Sequence, residues 1–255
     1  MELGLFQLAF LFAAAIGTSF INAVAAVGGG MTLFAIMVSV LDYALVIPIH
    51  GIVQLWSSSS RVWFFRQHVN FRMIGIFLIT YVPSCALGMY FWTLIIEYKG
   101  VQPYLKMMLG AYLVLVLGNW SFNIQTTDRK VLMLWAGAWS GILSLTVGSP
   151  AAVQAPLFIK ANFYKEEFVG TWALSGIVIQ MSKLPLFYFI WQAITMEHFW
   201  LVVLLAVGVV LGAYLGKMTI GRISESLFRR IMKFILLILA SKLILWDGFR
   251  AILFT

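Results

Sequence analysis

Lys183 lies about 15 residues beyond Phe168 and about 8 before Trp191 in an apolar run of a 255-residue chain. At 1.5 Å of rise per helical residue that places it well inside hydrocarbon. A charge at such depth is costly: it marks a functional position, or else its stem snorkels towards the nearer face. Gln180 precedes Lys183 on the same helix face, and Gln54 follows His50 by one turn in an earlier run. Amide and ammonium groups are donors to an oxyanion. His50, close to Pro48, can bind an anion or carry a proton, since histidine alone titrates near neutrality without perturbation, or it can simply pack. There is no His-Glu-x-x-His, no Gly-x-Ser-x-Gly and no pair of intramembrane carboxylates, and His50, His68 and His198 stand in separate segments without ligand spacing. The set suits binding rather than catalysis, and neither a metal nor a cofactor is expected.

Two glycine-broken segments are the elements that must position these groups. Val27-Gly28-Gly29-Gly30 is answered by Val147-Gly148-Ser149-Pro150 at an offset of 120, and His50-Gly51-Ile52-Val53 by Ser175-Gly176-Ile177-Val178 at an offset of 125. The longer second connection, from Lys160 to Glu167, accounts for the difference. Unwound backbone at membrane depth survives only where protein or a wet cavity satisfies it, and paired Gly/Pro breaks in repeated halves point to the substrate site of a secondary transporter. Gly28, Gly29 and Gly30 permit positive φ, and a helix starting near Met31 presents unpaired N–H groups and a positive dipole end. Pro150 fits the first turn of the matching helix. Two such N-termini at one buried spot make a site for a small anion, to which Ser149, Thr146, Thr32, Asn22 and Ser144 can add donors. The other reading of these glycines is tight helix packing. At the offset of 125, Ser57 matches Ser182 and Ser58 matches Lys183. Trp56 and Trp172 are candidate walls of the site, while Trp92, Trp120, Trp191 and Trp246 look like interfacial anchors. Arg61 lies five residues before Arg66 and is read chiefly as reaching the cytoplasmic interface. No Lys-Ser/Thr follows the first glycine run, so ATP coupling is not expected.

Composition makes the chain an integral membrane protein: 62% hydrophobic and 10% charged residues leave too little polar surface for a soluble globule of this size. The net charge of +8 reflects basic connections between apolar runs, not a nucleic-acid surface. The single Cys85 excludes an internal disulfide and reads as a packing thiol. Glu2, in place of a basic leader, argues for a retained N-terminus.

Apolar segments fall near residues 5–27, 31–41, 43–66, 72–95, 103–120, 131–147, 151–159, 167–191, 198–217 and 229–250. A spanning helix needs about 20 residues, so 31–41 and 151–159 are too short to cross. The expected architecture is all-α, with two inverted repeats, residues 1–125 and 126–255, in one membrane domain. Each repeat is a re-entrant helical hairpin followed by three spanning helices. Under this arrangement Arg61, Arg66, Arg72, Arg129, Lys130, Lys160, Lys165, Lys217, Arg222, Arg229, Arg230 and Lys233 share one face, against Lys99, Lys106, Lys242 and Arg250 on the other. That bias of twelve to four falls to nine against seven if both hairpins cross, so the positive-inside rule selects the re-entrant form with both termini outside. The two breaks are then expected to approach each other near the midplane.

The glycine run, the following helix with a polar stripe, the basic loop Arg66-Gln67-His68-Val69-Asn70 and the diverged second copy together resemble the sulfite exporter TauE/SafE family over nearly the full chain. The second glycine motif is eroded to Gly148-Ser149-Pro150, and Gly170-Thr171 keeps part of a Gly-Thr-Ser-like pattern. The resemblance implies export of sulfite, sulfonates or related organosulfur anions across a bacterial inner membrane by a multi-pass protein, with the bilayer and the anion as partners and protons as an optional co-substrate. The candidate substrate-binding set is Gly28, Gly29, Gly30, His50, Gln54, Ser57, Gly148, Ser149, Thr171, Gln180 and Lys183. A membrane scaffold or assembly protein without transport, and a carrier of small carboxylates, are the alternatives.

Overall fold

In the computed structural model, residues 4–41, 43–97, 101–117, 128–146, 150–188 and 196–250 are described; they contain helices and turns and no strand. Among the described residues ten α-helices follow in order: α1 (Leu5–Ala25), α2 (Gly29–Val40), α3 (Tyr43–Phe64), α4 (Phe71–Glu97), α5 (Val101–Leu117), α6 (Arg129–Thr146), α7 (Ala151–Lys160), α8 (Lys165–Tyr188), α9 (Met196–Ile220) and α10 (Glu225–Ser241). A π-helical segment, Lys242–Arg250, continues α10. Segments Leu5–Ala25, Phe71–Phe91 and His198–Ile220 are long and apolar enough to cross a bilayer. At 12 and 10 residues, α2 and α7 reach about 18 and 15 Å, half of a hydrocarbon core.

The chain forms two compact units, Met1–Val69 with Lys165–Phe228, and Asn70–Tyr164 with Arg229–Thr255. Each therefore draws on both halves of the sequence. In the first, α1 packs along α9. Gly208 meets Phe12 and Ala15, Gly212 meets Ile16 and Phe20, and Gly216 meets Phe20 and Ala23, so the two helices run parallel. A Cβ at Gly212 would sit 2.1 Å from the Ile16 carbonyl oxygen; glycine at every fourth position is what lets the backbones approach. After α1 the chain reverses through Ala26 (φ 63°) and Gly28 (φ 93°). Leu33, Met37 and Leu41 then return beside Leu11 and Ala15, in one core with Val46, Ile49 and Val53 of α3 and Leu201, Leu205 and Val209 of α9.

The second unit repeats the scheme. Here α6 packs along α4, with Gly137 against Phe77 and Thr80 and Gly141 against Tyr81, Ser84 and Cys85, again a parallel pair. Cys85 is thus part of a close helix contact, as its small neighbours suggested. The start of α6 and the end of α7 lie together: Arg129 donates to the Asn162 carbonyl at 2.8 Å and covers the Phe163 ring. Arg229 donates to Asn162 Oδ1, also at 2.8 Å.

Candidate functional site

The first turn of α2 is the positioning element. Gly28, at φ 93°, is its N-cap, and its carbonyl accepts from the N–H of Thr32 at 3.1 Å. The helix begins at Gly29 rather than near Met31, so positive φ is confined to Gly28, with Ala26 before it; Gly29 and Gly30 are already helical. Residues 29 to 31 have N–H groups with no acceptor one turn earlier in their own helix. What restricts Gly29 is proximity: an added Cβ would lie 2.0 Å from the Thr18 carbonyl oxygen and 2.7 Å from Asn22 Cγ on α1. At Gly30 its nearest neighbour would be the amide end of Gln54, at 3.2 Å from Nε2 and from Oε1.

α3 supplies the facing side chains. His50 donates from Nε2 to the Gly30 carbonyl at 2.9 Å, and its ring stands edge-on to Phe34 at 5.2 Å. The imidazole is thereby fixed to α2. Gln54, one turn on, is buried. α8 packs along α3 in the opposite direction, since Gly170 lies against Phe65 and Val69, Gly176 against Ser58, and Lys183 within electrostatic range of His50. The same register sets Gln180 opposite Gln54. His50 and Gln54 of α3 thus lie at the α2 N-terminus with Gly28, Gly29 and Gly30, Thr18 and Asn22 of α1 close it from the other side, and α8 brings Lys183 towards His50.

Other predicted residues have different surroundings. Ser57 is fully buried with its Oγ 3.2 Å from Ser19 Oγ. Ser19 donates its only hydroxyl proton to the Val209 carbonyl at 2.6 Å, so Ser57 is the donor to Ser19 and its proton is committed to tying α1, α3 and α9 together. Thr171 is buried on α8, about 18 Å along the axis from Lys183. Gly148 and Ser149 fall outside the described residues. The hydroxyls of Thr32, Ser144 and Thr146 donate to Gly28, Gly141 and Ile142 carbonyls respectively, which leaves Asn22 as the amide beside the first break. Trp56 is exposed and Trp172 stacks on Phe168, so Trp56 does not wall this cluster.

Arg61 overturns the interfacial reading. It is 3% exposed, with Nε donating to the Ser57 carbonyl and NH2 to Ser58 Oγ, both at 3.1 Å. A guanidinium three residues from the end of α3 turned inward because Ser57 and Ser58, one turn back on the same face, offer acceptors that lipid does not. Ser19, on α1, is the residue sequence reasoning missed; its signal is a small residue on the stripe Ala15, Ser19, Ala23 that faces α9.

The model of the family described as Sulfite exporter TauE/SafE matches residues 11–243. No curated protein and no solved structure matches the chain.

Proposed function

Since the chain belongs to the sulfite exporter TauE/SafE family, a family of membrane transporters, we propose that it is a secondary carrier exporting sulfite, sulfonates or related organosulfur anions across a bacterial inner membrane. The observation that carries this reading is the convergence of the α2 N-terminus with Gln54 and His50 of α3 and Lys183 of α8. Helix-start N–H groups are aimed before a ligand arrives, so an oxyanion can shed water there without leaving its charge unmatched. Lys183 supplies the countercharge and the amides of Gln54 and Gln180 the remaining donors. His50, held to Gly30 through Nε2, aligns α2 against α3 and keeps Nδ1 for a proton-coupled route.

Several features support inverted repeats with re-entrant hairpins. α3 and α8, equivalent by the sequence offset, run antiparallel. The pairing of α1 with α9 is mirrored by that of α6 with α4. Each short helix returns beside the start of its partner, seen in Leu41 near Leu11 and in Arg129 on Asn162. In the first unit, Lys217 seated 4.5 Å over the Phe65 ring and Lys165 bonded to Glu225 and the Ile223 carbonyl gather predicted cytoplasmic cations at one end.

The rival reading, a scaffold without transport, draws on the Gly29 contact with α1, which packing alone explains. The two part experimentally in proteoliposomes loaded with sulfite, methanesulfonate or acetate. Efflux of the sulfur anions that collapses in Lys183→Met supports the carrier, efflux of acetate alone reassigns the substrate to carboxylates, and no flux of any anion supports the scaffold.

A further inference from the structure

Arg61 is a buried cation that the site around α2 does not use. Its Nε and NH2 are held by Ser57 and Ser58, yet NH1 is buried with no hydrogen-bond partner among the described residues. Leaving a guanidinium edge desolvated without an acceptor or countercharge costs far more than the two bonds it makes return. The fold nonetheless holds it inward, with Ser58 fixed in turn between Arg61 and Gly176 of α8. Burial without a partner is the state expected of a cation whose counter-ion is a ligand.

Its position gives that ligand a context. His50, Gln54, Ser57 and Arg61 are spaced four, three and four residues apart, so they form one stripe along α3. Arg61 lies about 10 Å beyond Gln54 on this stripe. One turn further, Phe65 carries the ammonium of Lys217 on its ring. Positive charge therefore recurs from the end of α3 inward.

We propose that Arg61 is a second anion-binding position, at which NH1 takes an oxygen of a small sulfur oxyanion about two helical turns from the site at α2. The identity of the anion rests on the carrier reading; the need of NH1 for an anion does not.

The test uses the purified full chain and two probes, sulfite and selenite, with wild type, Arg61→Met, Arg61→Lys and Lys183→Met. Sulfite is expected to raise the melting temperature of wild type and of Lys183→Met. The shift should be reduced in Arg61→Met and lost in the double variant Arg61→Met/Lys183→Met, and Arg61→Lys, which keeps the charge but loses the fork held by two serines, should bind at this position roughly tenfold more weakly. An undiminished shift in Arg61→Met overturns the proposal. Should Arg61→Met fail to fold, the lysine variant decides, and an unchanged Kd overturns it. In crystals of the wild type soaked in selenite, an anomalous peak beside Arg61 NH1 supports the site, and water there with selenium only elsewhere refutes it. Sulfite flux through wild-type proteoliposomes is read separately, so that absent flux with intact binding at Arg61 rejects the carrier and leaves this position standing.

Discussion

Alanine at each glycine of the first break separates packing from ligand approach, because the three positions face different neighbours. At Gly29 the new Cβ would lie 2.0 Å from a backbone oxygen of α1, about 1.4 Å inside ordinary contact, and neither backbone can yield without opening the hairpin. Overpacking of that size costs roughly 1–3 kcal/mol or more, so Gly29→Ala is expected to lower the melting temperature by several degrees. At Gly30 the Cβ meets first the Gln54 amide, the far end of a flexible side chain, at 3.2 Å. A shift of a few tenths of an ångström relieves it, and alanine returns up to about 1 kcal/mol of helix propensity. Gly30→Ala should therefore fold as well as wild type. The displaced amide and the methyl group beside the first-turn N–H groups should still weaken anion binding by one charged hydrogen bond, about 1.5–3 kcal/mol, or roughly tenfold to a hundredfold. Gly17→Ala, with nothing within 4 Å of its Cβ, is the neutral control. Gly212 is not, since its Cβ would clash with Ile16 as severely as that of Gly29 with Thr18. Melting curves and sulfite titration of the purified variants give the answer. A Gly30→Ala protein with normal stability and normal sulfite affinity would refute the placement of the anion at this helix start.

Lys183→Met keeps the stem volume and removes the charge, so sulfite flux should fall by at least about tenfold, the loss of one charge-assisted contact, while a melting temperature within a few degrees of wild type shows that the fold survives; normal flux would reassign the residue to snorkelling. Ser19→Ala removes both the bond to Val209 and the acceptor of Ser57, and is expected to cost about 0.6–2 kcal/mol of stability with little change in sulfite affinity; a reversed pattern would place Ser19 in the binding site. In a Cys85→Ala background, cysteines at the exposed positions Gln67 and Tyr164 should be labelled by an impermeant maleimide only from the cytoplasmic side, and labelling from opposite sides would contradict the re-entrant topology.

The helices themselves were legible because most are long, predominantly apolar runs separated by Gly or charged connections, and the observed bounds of α2 and α7 fall within two residues of the segments expected. The turn at Gly28 was readable for the same reason: positive φ favours glycine there. What could not be read locally is which way a side chain turns once helices are packed. Arg61 and Lys183 are both cations in apolar runs, and only the rotation of α3, with Ser57 and Ser58 on the guanidinium's own face, directs Arg61 inward. The hydroxyls of Thr32, Ser144 and Thr146 looked like donors to an anion until their own helix carbonyls took them, a competition that short polar side chains commonly win within a helix. The mixing of the two halves in each unit depends on α1 choosing α9, and α6 choosing α4. Its signals in the sequence are the run Gly208, Gly212, Gly216 and the pair Gly137, Gly141, which announce a close partner without saying which helix it is.

Sulfite efflux from proteoliposomes containing the purified wild-type chain tests the central claim most directly. The carrier account predicts saturable efflux that is competed by methanesulfonate and responds to an imposed membrane potential in the direction set by the anion's charge. Efflux no faster than from protein-free liposomes, with a correctly folded and oriented protein, would contradict it.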